Sequence, residues 1–499
     1  MILLRFHYGG LEKLLMVLRT YKMLTIKNCK YITKDLDLAQ GDIFIKDGVI
    51  AGIGDYFKGV IIDATDKLVM PGLVNAHLHS HDHFNKGAVD NLPLEIYLMY
   101  LRPFYSGIQT TPEEIYYRTL YGCIEMIKTG TTSIMDDVII NPLLEEAHLD
   151  AVMRAYQDAG LRGYVAGHVL NIPIDKTIPY LDQSVDENLK MKINRDYPPV
   201  EEIIAYFEKH IAKYRDKLMK FTIAPSGPQR CTLELLKGAK YLSEKYDVPA
   251  VSHILESKMQ KYAGDYLFGK TLIEYLFEHD LLYPNLCSVH SVWVTERDIE
   301  LLSHAGCSVI HNPASNLKLG SGIAPIEKFL SLNMNVSLGT DNISANDTIN
   351  MFESMKLTGL IHKTKNINYN NWLGHKEAFR MATIEGGKCI KEDIGAIEVG
   401  KKADLLILDT FNERMMPSQD PVKNLVYAEN GASVEMVIVD GKIIYDGEIK
   451  TFDERLVLEK IRTLSDHINK VYIQSADQAG EIHNAMDIAY RRCLEEKDV

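Results

Sequence analysis

Short apolar runs separated by turn residues characterise both ends of the chain. Near the start, runs such as Leu24–Ile26 have the length of a strand, and Asp47-Gly48 is typical of a hairpin turn. This pattern predicts a small β module over residues 23–70. Strand-like text returns over residues 390–450, where Asp440-Gly441 again indicates a hairpin. We therefore predict one small β-sandwich module that is formed from both chain ends.

Between these two regions, apolar strand-like runs alternate with amphipathic helices. Ala250–His253 and Val336–Gly339 are examples of the strands, and Glu113–Lys128 is an example of the helices. Eight strands are counted when Leu68–Val74 is taken as the first of them. Strands that alternate with helices form parallel sheets, and eight such units form a closed barrel. The prediction is an α/β fold with a (β/α)8 TIM-like barrel over residues 71–389.

Residues 1–22 form an N-terminal extension for which the sequence predicts no role. An over-called translation start and a short surface helix are the two interpretations of this segment. Glu12 and Lys13 interrupt its apolar part and no small-residue cleavage site follows, so it lacks the pattern of a signal peptide.

The C-terminal segment, residues 451–499, is predicted to be a helical tail because apolar side chains recur there at helical spacing. These side chains are Val457, Ile461, Leu464, Ile468 and Val471. We expect this stripe to pack on its own chain, with a homo-oligomer contact as the alternative.

The composition narrows the classes of partner. Asp and Glu number 68 against 55 Lys and Arg, which gives a net charge of −13. A nucleic-acid-binding surface needs a basic stripe, so nucleic acid is not expected as a partner. No apolar stretch is long enough to span a membrane, and the 7 cysteines are scattered without a C-x-x-C pair. A cytoplasmic protein with a small-molecule ligand fits these properties.

Histidines and carboxylates occur where the predicted barrel strands end. His77 and His79 are two residues apart, so in a strand both imidazoles point to the same face. The ends of four further strands carry His253, His290, His311 and Asp341. A single buried histidine is usually structural, but several buried imidazoles and carboxylates together are costly unless they pair or bind a metal. Because the carboxyl ends of barrel strands form the active-site mouth, the pattern favours a metal site there.

Nine segments between residues 71 and 444 match the motifs of a known family. They are PGLVNAHLH (71–79), KTGTTSIMD (128–136), SHILES (252–257), VHSVWV (289–294), HNPASNLKLGSGIAP (311–325), VSLGTD (336–341), ATIEGG (382–387), EVGKKADLLILD (398–409) and MVIVDGKII (436–444). In combination these motifs are specific, and about residues 24–450 resemble the amidohydrolase superfamily in its deaminase branch. That branch contains the S-adenosylhomocysteine/methylthioadenosine, guanine and pterin deaminases and the triazine hydrolases.

The resemblance implies a mononuclear metal centre. Its ligands would be His77, His79, His253 and Asp341. Glu256 would carry the proton, while His290 and Asp341 would orient or deprotonate the attacking water. Binuclear members carry a carboxylated lysine at the end of strand four, and here that strand, Phe221–Ser226, has no lysine at its end. One divalent metal ion is therefore expected, zinc before iron.

The reaction that the resemblance implies is the hydrolytic removal of an amino group. Metal-activated water adds to an amidine-like carbon of a small nitrogen heterocycle, and ammonia or an amine departs. Two alternatives stay open: hydrolysis of a cyclic amide with ring opening, and a catalytically inactive barrel that serves as a binding scaffold. The presence of every implied metal and acid–base residue counts against the scaffold.

The substrate pocket departs from the nucleoside-type members of the branch. Ser226 and Gly167 stand where those members carry a histidine and an arginine for the substrate. Their ribose-binding glutamate falls near Tyr105 or Ser106, neither of which is acidic, so adenosine-type nucleosides are expected to be poor substrates. The residues expected to face the substrate are His81, Tyr97, Arg102, Ser226, Gln229 and His311. A structural role is the alternative for His311.

Overall fold

The structure is a computed structural model, which describes residues 23–56, 58–101 and 110–495. The extension 1–22, and residues 57, 102–109 and 496–499, lie outside the described residues. Arg102, which the sequence predicts to face the substrate, falls in this part of the chain, as do Tyr105 and Ser106.

The strands of the described residues fall into one mixed sheet and two parallel sheets. In chain order they are β1 (Met23–Ile32), β2 (Leu38–Lys46), β3 (Val49–Gly54), β4 (Val60–Asp63), β5 (Lys67–Pro71), β6 (Leu73–Leu78), β7 (Thr131–Val138), β8 (Arg162–Val169), β9 (Met219–Pro225), β10 (Ala250–Ile254), β11 (Leu286–His290), β12 (Ser308–His311), β13 (Val336–Leu338), β14 (Leu405–Asp409), β15 (Val434–Val439) and β16 (Lys442–Asp446). This arrangement confirms the predicted α/β class.

The mixed sheet joins the two ends of the chain. Its strand order is β16-β15-β14-β5-β1-β2-β3, with β4 paired to β1. The junction is the antiparallel pair β5–β14, in which Pro71 lies opposite Leu405 and Lys67 opposite Asp409. Apolar side chains from both ends, such as Ile26 and Val69, are fully buried in one cluster with Leu405. The two ends of the chain therefore stabilise a common sheet.

The two parallel sheets each contain four strands, β6–β9 in the first and β10–β13 in the second. Strands β7 and β8 are buried along their whole length, as expected when both faces of a parallel sheet are covered. Hydrogen bonds outside the ladders connect the sheets at their edges. The amides of Thr340 and Asp341 both donate to the carbonyl of His77 (3.0 Å each), and the amide of His253 donates to that of Ser226 (3.2 Å). Among the described strands, ladder pairing gives two sheets rather than one continuous closed barrel.

Helices separate most of the strands along the chain. They are α1 (Leu94–Leu101), α2 (Pro112–Lys128), α3 (Glu146–Ala159), α4 (Leu181–Ser184), α5 (Glu187–Ile193), α6 (Val200–Tyr214), α7 (Leu233–Tyr246), α8 (Lys258–Phe268), α9 (Leu272–Glu278), α10 (Glu296–His304), α11 (Pro313–Lys318), α12 (Ile326–Ser331), α13 (Ile343–Asn346), α14 (Met351–Ile361), α15 (His375–Met381), α16 (Ile384–Cys389), α17 (Pro421–Tyr427) and α18 (Glu454–Glu495). No helix within the described ranges combines the length and hydropathy that a bilayer crossing requires.

The tail helix α18 packs on its own chain, against α1 and α2. Its deepest contacts lie beyond the predicted stripe, where Ala479 and Met486 are fully buried against Ile96 of α1. Nearer its start, Lys460 forms an ion pair with Glu113 of α2 (2.9 Å). Packing on its own chain is the arrangement expected from the sequence.

The run Leu68–Val74, expected to be one strand, forms parts of two strands in different sheets. Gly72 separates β5 from β6, and a Cβ atom at this position would lie 2.1 Å from Oγ1 of Thr132. Only glycine allows β6 to approach β7 this closely. The chain therefore changes sheets at Pro71-Gly72, inside the run that was expected to be one strand.

Candidate active site

The side chains of the site extend from the carboxyl ends of strands in both parallel sheets. His77 and His79 belong to β6 and the residue after it, and period-two alternation places them on one face. His253 and His290 come from β10 and β11, and Asp341 follows β13. The structure thus brings together, in one buried cluster, residues that are up to 264 positions apart in the sequence.

The carboxylate of Asp341 lies at the centre of this cluster. Its Oδ1 atom is 3.6 Å from Nε2 of His77 and 3.3 Å from Nε2 of His79. The hydroxyl of Ser315 donates to Oδ2 at 2.7 Å, and the amide of Asn342 donates to Oδ1 at 2.7 Å. These donors hold the carboxylate in place, with its oxygens directed at the imidazoles.

His77 is the side chain whose surroundings indicate a metal ion most directly. Its side chain is fully buried, and neither of its ring nitrogens has a hydrogen-bond partner within the described part of the chain. Burial, together with the neighbouring His79, lowers the pKa of His77 to about 3, so the ring is neutral and carries a lone pair. Two buried nitrogens without partners are costly, and a metal ion is the partner that neutral imidazole suits.

The remaining proposed ligands have matching properties. The rings of His79 and His253 are stacked, with centroids 5.4 Å apart, and the ring of His253 is 4.9 Å from that of His77. Burial lowers the pKa of His253 well below its usual value. Burial acts to raise the pKa of Asp341, but the bond with His79 and the nearby imidazoles bring it well below its usual value. Three imidazoles, of which those of His77 and His253 are held neutral, and one ionised carboxylate are a donor set that fits a divalent metal.

His290 and Glu256 lie on the side of Asp341 away from β6. Nδ1 of His290 is 2.9 Å from the side-chain oxygen of Asn316, so this nitrogen carries the hydrogen when the ring is neutral. Its Nε2 atom is 3.3 Å from Glu256 and 3.6 Å from Asp341. The arrangement gives one neutral proton acceptor between two carboxyl groups.

Glu256 is buried in the loop between β10 and α8. Its pKa is raised well above the usual value, first by burial and then by the charges of Asp341 and Glu95. Gln260 of α8 accepts a hydrogen bond from the Glu256 amide at 2.9 Å and fixes this loop. A carboxyl group whose pKa is raised keeps its proton to higher pH and can donate it to a substrate.

The backbone is strained where the second parallel sheet meets the site. Leu255, His290 and Asp341 have φ values of 54°, 72° and 65°, in the left-handed region that non-glycine residues rarely adopt. All three lie at or just after the ends of β10, β11 and β13. Such strain persists only where surrounding contacts impose it, and it concentrates at functional sites.

Two residues of the cluster, Asp137 and His168, were not predicted from the sequence as site residues. Asp137 is fully buried near the end of β7, and its Oδ1 atom is 2.8 Å from Nδ1 of His168. Its ligand atom lies within 4.8 Å of those of His77, His79 and His253. The signal in the sequence was the pair Asp136-Asp137 in an otherwise apolar strand, of which only one side chain can point into the site.

The predicted substrate-facing residues occupy different places. His81 is half-buried and its Nδ1 accepts the amide hydrogen of Ile139, at 3.2 Å. Tyr97 is buried, with its hydroxyl 2.5 Å from that of Ser344. His311 is buried with Nε2 3.3 Å from Nε2 of His362, a contact that lies apart from the metal cluster.

Ser226 and Gln229 lie in the turn after β9, beside Arg230. Both are buried, and Nη1 of Arg230 is 3.4 Å from the Ser226 hydroxyl. Arg230 lines the pocket that also contains Glu256 and His290. It borders a second cavity of about 810 Å³ as well, together with Leu98 and His168. The turn therefore lies where the pocket that contains Glu256 and His290 borders the larger cavity.

The chain is similar to enzymes of known activity along most of its length. The 5-methylthioadenosine/S-adenosylhomocysteine deaminase of Pyrococcus furiosus is 31% identical over 441 residues, which cover 87% of this chain and 98% of the relative. The 5'-deoxyadenosine deaminase of Methanothermobacter thermautotrophicus is 32% identical and covers 85% of this chain and 93% of its own length. An adenosine deaminase from Xanthomonas campestris with bound zinc has the same fold, with a TM-score of 0.78, 24% identity and coverage of 89% and 98%.

Most of the chain also matches a protein-family model. Residues 68–444, which span both parallel sheets and the junction strands β5 and β14, match the amidohydrolase family. The two relatives from Pyrococcus furiosus and Methanothermobacter thermautotrophicus, which match along most of their length, are deaminases. The family predicted from the motifs is confirmed, and the chain belongs to the amidohydrolase family.

Proposed function

We propose that this protein is a metal-dependent aminohydrolase, which removes an amino group from an amidine-like carbon of a small nitrogen heterocycle. Family membership and the deaminase relatives support hydrolysis of a non-peptide carbon–nitrogen bond. The observation that carries the proposal is the position of His77, which is buried without partners among neutral imidazoles and an ionised carboxylate.

One divalent metal, held by His77, His79, His253 and Asp341, completes the proposal. When bound, the metal would supply a Lewis acid that lowers the pKa of water and polarises the substrate. Zinc is proposed because the donor set suits it, and because a structural relative carries zinc. Strand β9 ends at Pro225, and its lysine, Lys220, lies at the opposite end of the strand, so no lysine is placed to hold a second metal.

The chain's own residues would move the protons. Asp341 is ionised and His290 presents an unprotonated Nε2, so both can orient the attacking water and accept its proton. Glu256 holds a proton on the same side and would donate it to a ring nitrogen of the substrate. The proton that Asp341 or His290 has taken from the water then passes to the amino group, which leaves as ammonia. The hydroxyl group that was added to the carbon would return a proton to Glu256 as the carbonyl forms.

The test combines metal content with product detection. We expect elemental analysis to find about one zinc or iron per chain, and the metal-loaded protein to release ammonia from members of a panel of pterins, triazines and aminopyrimidines. Chelation should abolish the release. Two tightly held metals, or none after reconstitution, would contradict the mononuclear site. Ring opening without ammonia would instead identify a cyclic amide hydrolase.

We also propose that the two parallel sheets are the halves of one (β/α)8 barrel. The contacts of Asp341 with His77 and of His253 with Ser226 lie at the two edges where such a barrel would close. Strand ends from both sheets then meet around one pocket, as in enzymes with this architecture. An experimental structure with ligand bound would test the closure through ladder hydrogen bonds at both edges.

A further inference from the structure

Asp137 contacts three different histidines through three different oxygen atoms. Its main-chain carbonyl is 2.6 Å from Nδ1 of His79. Its carboxylate Oδ1 is 2.8 Å from Nδ1 of His168, and its Oδ2 is 3.6 Å from Nδ1 of His253. These histidines come from three regions of the chain, so one residue at the end of β7 connects β6, β8 and β10.

Each contact concerns the Nδ1 atom of its imidazole. A histidine that binds a metal through one ring nitrogen needs its other N–H directed at a fixed acceptor, which sets the tautomer and the plane of the ring. The Asp137 carbonyl performs this role for His79, whose Nε2 atom then faces Asp341 at 3.3 Å. The Oδ2 atom of Asp137 is placed to do the same for His253.

Asp137 has the properties that such an acceptor requires. It is fully buried, and its Oδ2 atom has no hydrogen-bond partner within the described residues. Burial acts to raise the pKa of Asp137, but His168 and the other histidines hold it below its usual value. A buried carboxylate oxygen without a partner is costly, and the nearest donor that could satisfy it is Nδ1–H of His253.

We propose that Asp137 is a positioning residue, whose Oδ2 atom orients the His253 imidazole while its Oδ1 atom fixes His168 in the pocket wall. This inference rests on the proposed metal site. The carboxylate binds no metal directly and acts through the two rings. It therefore couples a metal ligand on β10 to a side chain that borders both the reactive pocket and the larger cavity.

The test compares two neighbouring carboxylates on β7. Asp137→Asn retains the shape of the side chain but loses the charge that holds both rings. Asp136→Asn is the matched control, because Asp136 is also fully buried but points to the opposite face, where it accepts hydrogen bonds from the Ser80 amide (2.8 Å) and Tyr156 (3.0 Å). The readouts are zinc affinity, by competition with a chelator, and the visible spectrum of the cobalt-substituted protein.

For Asp137→Asn we expect zinc affinity to fall by about 10–100-fold, the range typical of a lost partner to a metal-binding histidine. The cobalt spectrum should keep its shape and intensity, because the ligands themselves are unchanged. Asp136→Asn should lower the melting temperature yet bind zinc within about threefold of the parent protein.

Three outcomes would overturn the inference. Unchanged zinc affinity in Asp137→Asn would mean that the carboxylate does not orient His253. A changed cobalt spectrum would show that Asp137 is itself a ligand. An equal loss of affinity in both variants would show a general effect of removing a buried charge. If the parent protein binds no metal, the proposed function fails instead, which keeps the two failures distinguishable.

Discussion

The two parallel sheets contribute to the site in different ways. The first sheet supplies His77, His79 and Asp137 from strand ends whose backbone is regular, with φ of −133° at His79. The second sheet supplies one ligand, His253, from the regular strand β10, and in addition His290 and Asp341, which both have left-handed φ values, and the loop that carries Glu256. Strain and proton-transfer groups are therefore concentrated in one half of the cluster.

This difference indicates that the two sheets have different roles, because the proton-transfer groups come from the second sheet. Ligands that only hold a metal need a fixed direction, which the alternation of a regular strand provides. Groups that receive or donate protons must approach the reacting atoms closely, and the left-handed residues turn the second sheet's ends toward the pocket. Asp341 belongs to both groups, because it is a proposed ligand and a proposed proton acceptor.

The largest expected effect is at Asp341. Asp341→Ala should lose the metal and lower kcat/KM by more than about 10⁴-fold, because it removes a ligand and a proton acceptor together. Metal analysis and ammonia release measure the two parts. Half-buried Asp347, which lies outside the pocket and pairs with Lys318, provides a control as Asp347→Asn. A metal-loaded, active Asp341→Ala would contradict the comparison between the sheets.

Glu256 separates proton transfer from metal binding. Glu256→Gln should keep the metal and the fold but lower kcat by about 10²–10⁴-fold, since the amide has no proton to donate. Elemental analysis and steady-state kinetics check both statements, with exposed Glu234→Gln as the control. A fully active variant would place the proton on another group.

The pH dependence of kcat/KM tests the same assignment of Glu256 as the proton donor. The pKa of Glu256 is raised and its protonated form is the active one, so kcat/KM should fall as pH rises through that pKa. This alkaline limb should be absent from the residual activity of Glu256→Gln. A limb of the same midpoint in both proteins would assign it to a different group.

The ends of the first sheet are expected to set the specificity. Ser226 follows β9 and Gly167 lies in β8, and neither offers the side chain that nucleoside-type members use. We expect adenosine, methylthioadenosine and S-adenosylhomocysteine to have kcat/KM at least about tenfold below the best free heterocycle. Steady-state kinetics over the panel decide this. The named nucleoside deaminase relatives make it a demanding test, and a high kcat/KM for any of the three would contradict it.

The smallest effect concerns stability alone. Gly72→Ala should lower the free energy of unfolding by about 1–3 kcal/mol, because its Cβ would collide with Thr132 between β6 and β7. Gly480→Ala in α18 is the control, since no atom lies within 4 Å of the added Cβ. That substitution should be neutral or stabilising by up to about 1 kcal/mol. Denaturant unfolding measures both, and equal stabilities would contradict the tight contact at Gly72.

Local patterns predicted most of the fold. The helix expected at Glu113–Lys128 and the strand expected at Ala250–His253 agree to within one residue with α2 and β10, because helical and strand periodicities are properties of adjacent residues. The boundary of the β module was predicted between Met70 and Pro71, but Leu68–Val74 was also counted as a single strand. Its division between two sheets takes place at Pro71-Gly72, where only glycine fits against Thr132 of another strand.

The site shows the same limit. His77 and His79 could be predicted because an H-x-H pair specifies a shared face in any strand. Asp137 could not, because Asp136 precedes it and the sequence does not say which of the two points inward. His168 was not predicted as a site residue because the resemblance directed attention to the neighbouring position, Gly167, where nucleoside-type members carry a substrate-binding arginine.

The pairing of β5 with β14 has a consequence for synthesis on the ribosome. Pro71 of β5 pairs with Leu405 of β14, which is synthesised much later. At a translation rate of about 5–20 residues per second, β14 follows β5 by tens of seconds. During that interval β5 presents an open edge of Leu68, Val69 and Met70, which are buried in the finished sheet. Unpaired apolar edges favour aggregation, so the nascent chain is exposed to aggregation until translation reaches about the last fifth of the enzyme.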